Sequence, residues 1–487
     1  MPSAISSLFS DFPDLDGDVS CQMLDLQNVS SDFGQIVHTK PMIVVRPKTS
    51  ADIAKVVRFA IDKNLNIIPR GMAHCAYGQS QCDGGIVFDM TRFNAILAAD
   101  FSVEKPWMDA QSGATWDKLI KFSGSAGFAP PTTTDWQLVT MGGTLSTGGV
   151  GFMSYLYGLQ TDNVLELDVI DGQGELHTCS PMQKPDLFDA VRAGLGQYGI
   201  ITRARILLSP MPQKMHVYQL FFTSLVKFSA AMQNITNQGY FECVHAFVIP
   251  NQEHAIKTRL ATLATKADPQ AVQSYCDALQ TTATKWLFFV ELVKYDEQNA
   301  QETAAQINAL QVFAERTFSA IEPFYDYVTK EPPLIAVEKR KGKTPHPELA
   351  VIQPSTSFET FMERSLADLS PDDMGEGPLL IIPVLSKPVT TPMFIRPSSE
   401  LFYFIGFLRN AFPATAERIA ELTRQNLSLY QQSCDAGGNR YPCDSIPQPA
   451  DPAGWQLHYG QSRWPQLQSA KAKYDPHKLF VSNLNMF

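Results

Sequence analysis

Four short stretches of this 487-residue sequence carry residue types suited to chemistry. Pro69-Arg-Gly-Met-Ala-His-Cys75 sets an imidazole, His74, among small residues, with Gly78-Gln79 just beyond. Small residues let a loop approach a flat ring system closely, and an amide supplies donors to it. Read alone, though, a single histidine is more often a packed structural residue. Met141-Gly-Gly-Thr-Leu-Ser-Thr-Gly-Gly-Val-Gly151 combines five glycines with Thr144, Ser146 and Thr147. Its backbone N–H groups and hydroxyls suit a phosphate, and its composition equally suits a surface loop. Asp135 stands just ahead of it. Gly194-Leu-Gly-Gln-Tyr-Gly199 matches the dinucleotide spacing G-x-G-x-x-G, but a helix-like stretch leads in and a strand-like one leads out. A phosphate-binding turn needs the opposite order, strand then helix, so nicotinamide binding is not expected there.

The elements that must position these residues are legible from periodicity. Met42-Ile-Val-Val-Arg-Pro47 reads as a buried strand, and Thr49-Ser50 caps an amphipathic helix through Ile53, Val56, Val57, Phe59 and Ile61. Asn66-Ile-Ile-Pro-Arg-Gly71 gives a second strand that ends in the His74 turn. This β-α-β opening puts His74 at a strand's carboxyl end, where α/β proteins usually hold ligands. Further alternation runs through Gly85–Met90, a helix over 116–122 and Val164–Ile170, until Pro210-Met-Pro212 breaks it. Beyond Lys214, strands over 217–223 and 286–291 alternate with helices over 269–279 and 302–318, the pattern of an antiparallel sheet with helices on one side. Pro332-Pro333, Pro345-His-Pro347 and the prolines from Pro447 to Pro452 mark irregular connections.

Composition narrows the function classes. The chain is 44% hydrophobic and 18% charged, as soluble globular proteins are, and its length calls for two or three domains. A net charge of -10 repels a polyanion, and the run 339–343 is too short to offset it, so nucleic acid is not an expected partner. No apolar run is long enough for a membrane helix, and the first twenty residues carry four aspartates where a secretory signal needs a positive start. The eight cysteines are scattered without close pairing, which suits reduced thiols in the cytoplasm and offers no zinc set. No metal site is expected.

The sequence resembles the cytokinin dehydrogenases, flavoproteins of the vanillyl-alcohol-oxidase and p-cresol-methylhydroxylase fold. Arg70-Gly-Met-Ala-His-Cys-Ala-Tyr-Gly-Gln79 is similar to their Arg-Gly-x-Gly-His-Ser-x-x-Gly-Gln loop. The likeness continues through Thr134-Asp135-Trp136, Val139–Ser146, Asn163–Asp168, Asp186–Ala190 and Gly194–Arg205. It is patchier at 290–296, Pro345-His-Pro347, Gly377–Pro383, His458-Tyr-Gly460 and the tail 473–480.

The resemblance implies an α+β chain of the vanillyl-alcohol-oxidase type. Residues 1–212 would form an FAD-binding domain of two α/β subdomains, with its core at about 38–210. Residues 213–455 would form an antiparallel-sheet cap domain with helices, and 456–487 would return to the FAD-binding domain. FAD would be covalently attached through His74 and contacted by Pro69, Gly71, Met72, Ala73, Cys75, Gln79, Asp135, Thr140, Ser146, Val150 and Ile201. Asp135 would be the catalytic base and Glu291 a second acid near it. The implied reaction oxidises the N6 side chain of isopentenyladenine-type cytokinins to adenine and an aldehyde by hydride transfer to flavin N5. Oxygen or a quinone would take the electrons.

Some positions depart from the family pattern. Glu348-Leu349-Ala350 follows Pro345-His-Pro347 where the family has Trp-Leu-Asn, and Val481-Ser-Asn-Leu484 replaces Ser-Pro-Gly-Gln. Ala73 and Cys75 stand where the family has glycine and serine. The pocket changes leave room for an alternative, a covalent-FAD oxidase of another small amine or alcohol.

Overall fold

The computed structural model describes residues 11–252, 255, 269–282, 284–296, 299–330, 344–444, 448–481 and 483–487. The basic run 339–343, Pro332-Pro333, Pro447, Ser482, the first ten residues and the side chain of Cys276 lie outside the described residues.

Thr49 starts the first long helix, Ser50–Lys63. Its hydroxyl accepts from the Asp52 backbone N–H and the Asp52 carboxylate returns the bond, a capping box. Ile53, Val56, Val57 and Ala60 form its buried face, and Asn64 ends it in a left-handed conformation. This helix joins two strands of a four-stranded sheet made of β1 (Asp18–Ser20), β2 (Ile43–Arg46), β3 (Ile67–Arg70) and β4 (Ile86–Asp89), in the order β1-β2-β4-β3. β2 and β3 both run parallel to β4. The turn after β3 carries His74.

A second, five-stranded sheet comprises β5 (Ile96–Asp100), β6 (Trp107–Gln111), β8 (Val164–Ile170), β9 (Leu176–Cys179) and β10 (Ile200–Leu207), in the order β5-β6-β10-β8-β9. All its pairs are antiparallel. A short pair, β7 (Phe128–Ala129) with β11 (Ser209–Pro210), lies apart from it. The segment Gly194–Gly199 runs from the helix Pro185–Val191 into β10, so its glycines turn a chain from helix to strand.

The third sheet has eight strands: β12 (Lys214–Phe222), β13 (Cys243–Pro250), β14 (Trp286–Tyr295), β15 (Arg316–Pro323), β16 (Leu349–Pro354), β17 (Leu379–Leu385), β18 (Leu401–Phe407) and β19 (Asn439–Arg440). Their order is β15-β12-β14-β13-β17-β18-β16-β19. Strand side chains alternate between faces, and here both faces are apolar. Val244, Ala246 and Val248 join the core under helices Leu225–Gln238 and Phe358–Asp368, whereas Phe247 and Ile249 join the opposite core, which also holds Cys75 and Leu159. The helix expected over 302–318 spans Ala300–Leu310 instead. Residues 316–323 pair with β12 along their whole length, so ladder hydrogen bonds override local helical spacing, and Phe318 is a strand residue.

The last helices, Pro452–Tyr459 and Trp464–Tyr474, bury Trp455, Trp464 and Leu467 with Met108 and Leu187 of the second sheet's core. Beyond them the Leu479 carbonyl accepts from Ile67 N–H at the start of β3. Among the described residues no helix is long and apolar enough to cross a membrane.

Candidate functional site

Two clefts meet at the end of β3. Pro69, Gly71, Met72, Ala73, His74, Cys75 and Gln79 line the first from one side. Thr140, Gly142, Gly143, Thr144, Ser146 and Thr147 line it from a second element, and Leu195, Gly196 and Ile201 from a third. The glycine-rich stretch is not wholly a loop: Met141–Leu145 forms one helical turn, anchored where Gly142 N–H donates to the Ser112 carbonyl at 2.8 Å. Leu195 N–H donates to the Ser146 carbonyl at 2.8 Å, so the 194–199 turn is tied to this stretch. A side chain at Gly196 would meet nothing nearer than Pro69 Cγ at 3.9 Å, so this glycine leaves an open cradle.

The loop around His74 is held from outside. Phe33 N–H donates to the Ala73 carbonyl at 2.9 Å and Gly34 N–H to the Cys75 carbonyl at 3.1 Å, one bond on each side of His74. Asp32 accepts from Gly78 N–H at 2.6 Å and from Cys75 Sγ at 3.5 Å. Burial raises the Asp32 pKa, opposed mainly by that Gly78 N–H bond. Burial, with Asp32 nearby, pushes the Cys75 thiol far up, so it stays neutral. Gln79 accepts from Tyr77 N–H at 2.8 Å and donates to the Cys443 carbonyl at 2.9 Å, tying the loop to the third sheet's side. The His74 ring lies between Phe33 at 4.2 Å and Trp136 at 4.6 Å, centroid to centroid.

His74, Val139, Thr144, Thr147 and Cys443 line the second cleft as well as the first. Asp135 and Val150 open onto this second space, with Glu348 and the apolar Leu380, Ile382, Phe404 and Leu408 of the third sheet's side. Asp135 is thus brought together with His74. Glu291 is not: it lines neither cleft. It lies buried in β14, where Gln219 donates to Oε2, Tyr327 Oη donates to Oε1 at 2.8 Å, and His245 Nε2 stands 3.3 Å from Oε1. Phe152 stacks on His245 at 3.8 Å.

Asp32, Phe33 and Gly34 escaped the sequence reading. Their one local signal is an aspartate before a glycine in a segment without periodicity, which reads as an ordinary turn. His346 also escaped it. This side chain is fully buried, stacks on Phe33 at 4.2 Å, and stands 3.6 Å from Glu348 through Nδ1 and Oε1.

Comparison with known proteins decides the family. A family model described as FAD binding domain matches residues 41–180. A second, described as cytokinin dehydrogenase 1, FAD and cytokinin binding, matches residues 212–487, more than half of the chain. The chain belongs to the cytokinin dehydrogenase family. It is 29% identical to an oxidoreductase encoded in the fasciation locus of Rhodococcoides fascians, over 95% of this chain and 97% of that one. It is 30% identical to cytokinin dehydrogenase 6 of Oryza sativa, over 94% and 89%. Its fold is similar to that of 6-hydroxy-D-nicotine oxidase from Arthrobacter nicotinovorans, with a TM-score of 0.71, 20% identity, and coverage of 98% and 99%.

As a cytokinin dehydrogenase family member the protein is an FAD-dependent oxidoreductase with a vanillyl-alcohol-oxidase-type fold. The first cleft has the make-up that FAD requires. The open space at Gly196 would admit a pyrophosphate against backbone, and the hydroxyls of Thr144, Ser146 and Thr147 line the same cleft. Arg70 is the one Lys or Arg among the described lining residues, and its guanidinium is engaged with the Ser31 carbonyl at 2.7 Å. Phosphate charge there would fall to N–H and hydroxyl dipoles.

Proposed function

We propose that this cytokinin dehydrogenase family member oxidises the N6 side chain of isopentenyladenine-type cytokinins, with FAD held covalently by His74. The observation that carries the reading is the position of His74 at the junction of the two clefts, with Asp135 opening onto the second. A ring nitrogen of His74 would bond the flavin 8α-methyl carbon, with the loop Pro69–Cys75, Gln79, Thr140, Ser146, Val150, Ile201 and Asp135 as the contacting set. Bound FAD supplies a hydride acceptor at N5. Asp135 would take the proton of the substrate's secondary amine as the hydride leaves the adjacent carbon. The apolar walls Leu380, Ile382 and Phe404 would exclude water until the oxidised carbon–nitrogen bond is formed, and later hydrolysis gives adenine and an aldehyde.

Glu291, held in the buried β14 network by Tyr327 and Gln219, would serve as a positioning residue rather than touch substrate. On this reading residues 1–212 with 456–487 bind FAD and 213–455 cap it. The electron acceptor would be oxygen or a quinone, and the scattered thiols support a cytoplasmic setting. A second reading, an oxidase of another small amine or alcohol, is favoured by Glu348 lining the cleft where the family pattern has tryptophan.

Anaerobic mixing with isopentenyladenine tests the first reading. Flavin absorbance should bleach, and Asp135→Asn should retain FAD but bleach about 100-fold or more slowly. Bleaching by Asp135→Asn at the wild-type rate contradicts the assigned base.

A further inference from the structure

We infer that Asp32 is a positioning residue for the flavin tether: its carboxylate fixes the loop that carries His74, and covalent attachment depends on it far more than FAD binding does. This deepens the proposed function, because it rests on His74 being the point of attachment.

Asp32 is 2% exposed and belongs to a segment outside the helices and strands. Its Oδ2 accepts from Gly78 N–H at 2.6 Å, with Cys75 Sγ at 3.5 Å. The next two residues continue the grip. Phe33 N–H donates to the Ala73 carbonyl, Gly34 N–H donates to the Cys75 carbonyl, and the Phe33 ring packs on His74. Three consecutive residues thus hold the loop at 73, 75 and 78, on both sides of His74. The segment is braced in turn from β3, whose last residue, Arg70, donates to the Ser31 carbonyl at 2.7 Å. Gly78 is held from its other end as well, where its carbonyl accepts from Asn483 Nδ2 at 3.0 Å. The Asp32 carboxylate is the polar grip that a substitution removes while leaving the backbone bonds beside it in place. Its bond to the buried Gly78 is charge-assisted, and without it that N–H loses its acceptor.

Attachment would join a His74 ring nitrogen to the 8α-methyl carbon of FAD. The methyl group and the ring each give up one hydrogen, both pass with an electron pair to the flavin, and oxygen then reoxidises the flavin and leaves as hydrogen peroxide. Such a bond forms from reacting atoms held about 3–3.5 Å apart, and an error of about 1 Å can slow it about 100-fold. FAD has other holds. Thr140, Gly142, Ser146, Leu195 and Ile201 line the first cleft from elements with which Asp32 shares no hydrogen bond. Loosening the loop therefore slows attachment far more than it weakens binding.

Full-length protein produced with limiting riboflavin and then given FAD tests this. Affinity is read at once from flavin fluorescence, and attachment over time from the flavin that stays in an acid precipitate. Asp32→Ala should bind FAD within about threefold of the wild-type affinity yet attach it about tenfold or more slowly. Asp32→Asn, whose amide oxygen can still accept from Gly78 N–H, should recover about half or more of the wild-type rate. If Asp32→Ala gives no folded protein, Asp32→Ser, with its shorter side chain, carries the same expectation. Attachment at the wild-type rate in the alanine or serine variant overturns the inference and leaves His74 standing as the tether. Equal losses of affinity and attachment, or no recovery in Asp32→Asn, overturn it too, because Asp32 would then be a general support of the fold. Wild-type flavin that leaves with the supernatant would sink the His74 reading itself, and the inference with it.

Discussion

Ala73 occupies a left-handed backbone conformation, φ 52°, immediately before His74. A Cβ there crowds the following carbonyl, a penalty that glycine avoids, although glycine loses more conformational freedom on folding. The two effects leave a net gain for glycine, and Ala73→Gly should raise stability by up to about 1 kcal/mol. A thermal melt reads this directly, and a fall in melting temperature would count against it. The strain was visible in the sequence only because the related loop has glycine at this place. His74 itself could not be told from a packed histidine by its own neighbours. The rings of Phe33 and Trp136 on either side of it come from distant segments, and nothing in the local spacing announces either contact.

At the level of elements, the His74 loop is shaped by the segment Asp32–Gly34 as much as by β3. A side chain at Gly34 would fall well inside contact distance of the Ala76 carbonyl oxygen, which is backbone and cannot swing away. Gly34→Ala should therefore cost about 1–3 kcal/mol and lower the FAD retained per mole of protein, because the Asp32–Gly34 segment and the His74 loop must part to relieve the overlap. Purified variant with normal flavin content and an unchanged melt would show that the segment merely lies alongside. The helix Ser50–Lys63 offers the opposite case. Its capping box and apolar stripe are local, so the sequence shows both its start and its buried face. The helix read over 302–318 failed for the complementary reason, since partners in β12 decide the conformation of residues 316–323 and lie a hundred residues away.

Across the whole molecule, the carboxyl-terminal return brings a buried titratable group into the core. His458 Nδ1–H donates to Asn439 Oδ1 at 3.0 Å, and burial, aided by Arg440, pushes its pKa down from 6.5 to about 3. The folded chain keeps this ring neutral where the unfolded chain takes up a proton. Stability is unaffected above about pH 6.5 and falls as pH drops below it, by about 1.4 kcal/mol for each pH step until about pH 3. Urea titrations at pH 7.5 and pH 5 should show a larger loss in wild type than in His458→Gln. Identical losses would show that His458 is not the group responsible. The fold at this scale was legible along β14, read in the sequence as a strand over 286–291, where Trp286, Phe288 and Val290 enter one core and Leu287 and Phe289 the other. The antiparallel character of the five-stranded sheet was not, because strand and helix alternated there much as they do in a parallel fold.

The central claim is that His74 carries the flavin, and acid precipitation tests it most directly. Wild-type protein precipitated in trichloroacetic acid should keep its yellow colour in the pellet, with the flavin recovered on the single peptide that contains His74, and His74→Ala should release its colour to the supernatant. Colour released from wild type, or flavin recovered on any other peptide, would contradict the account.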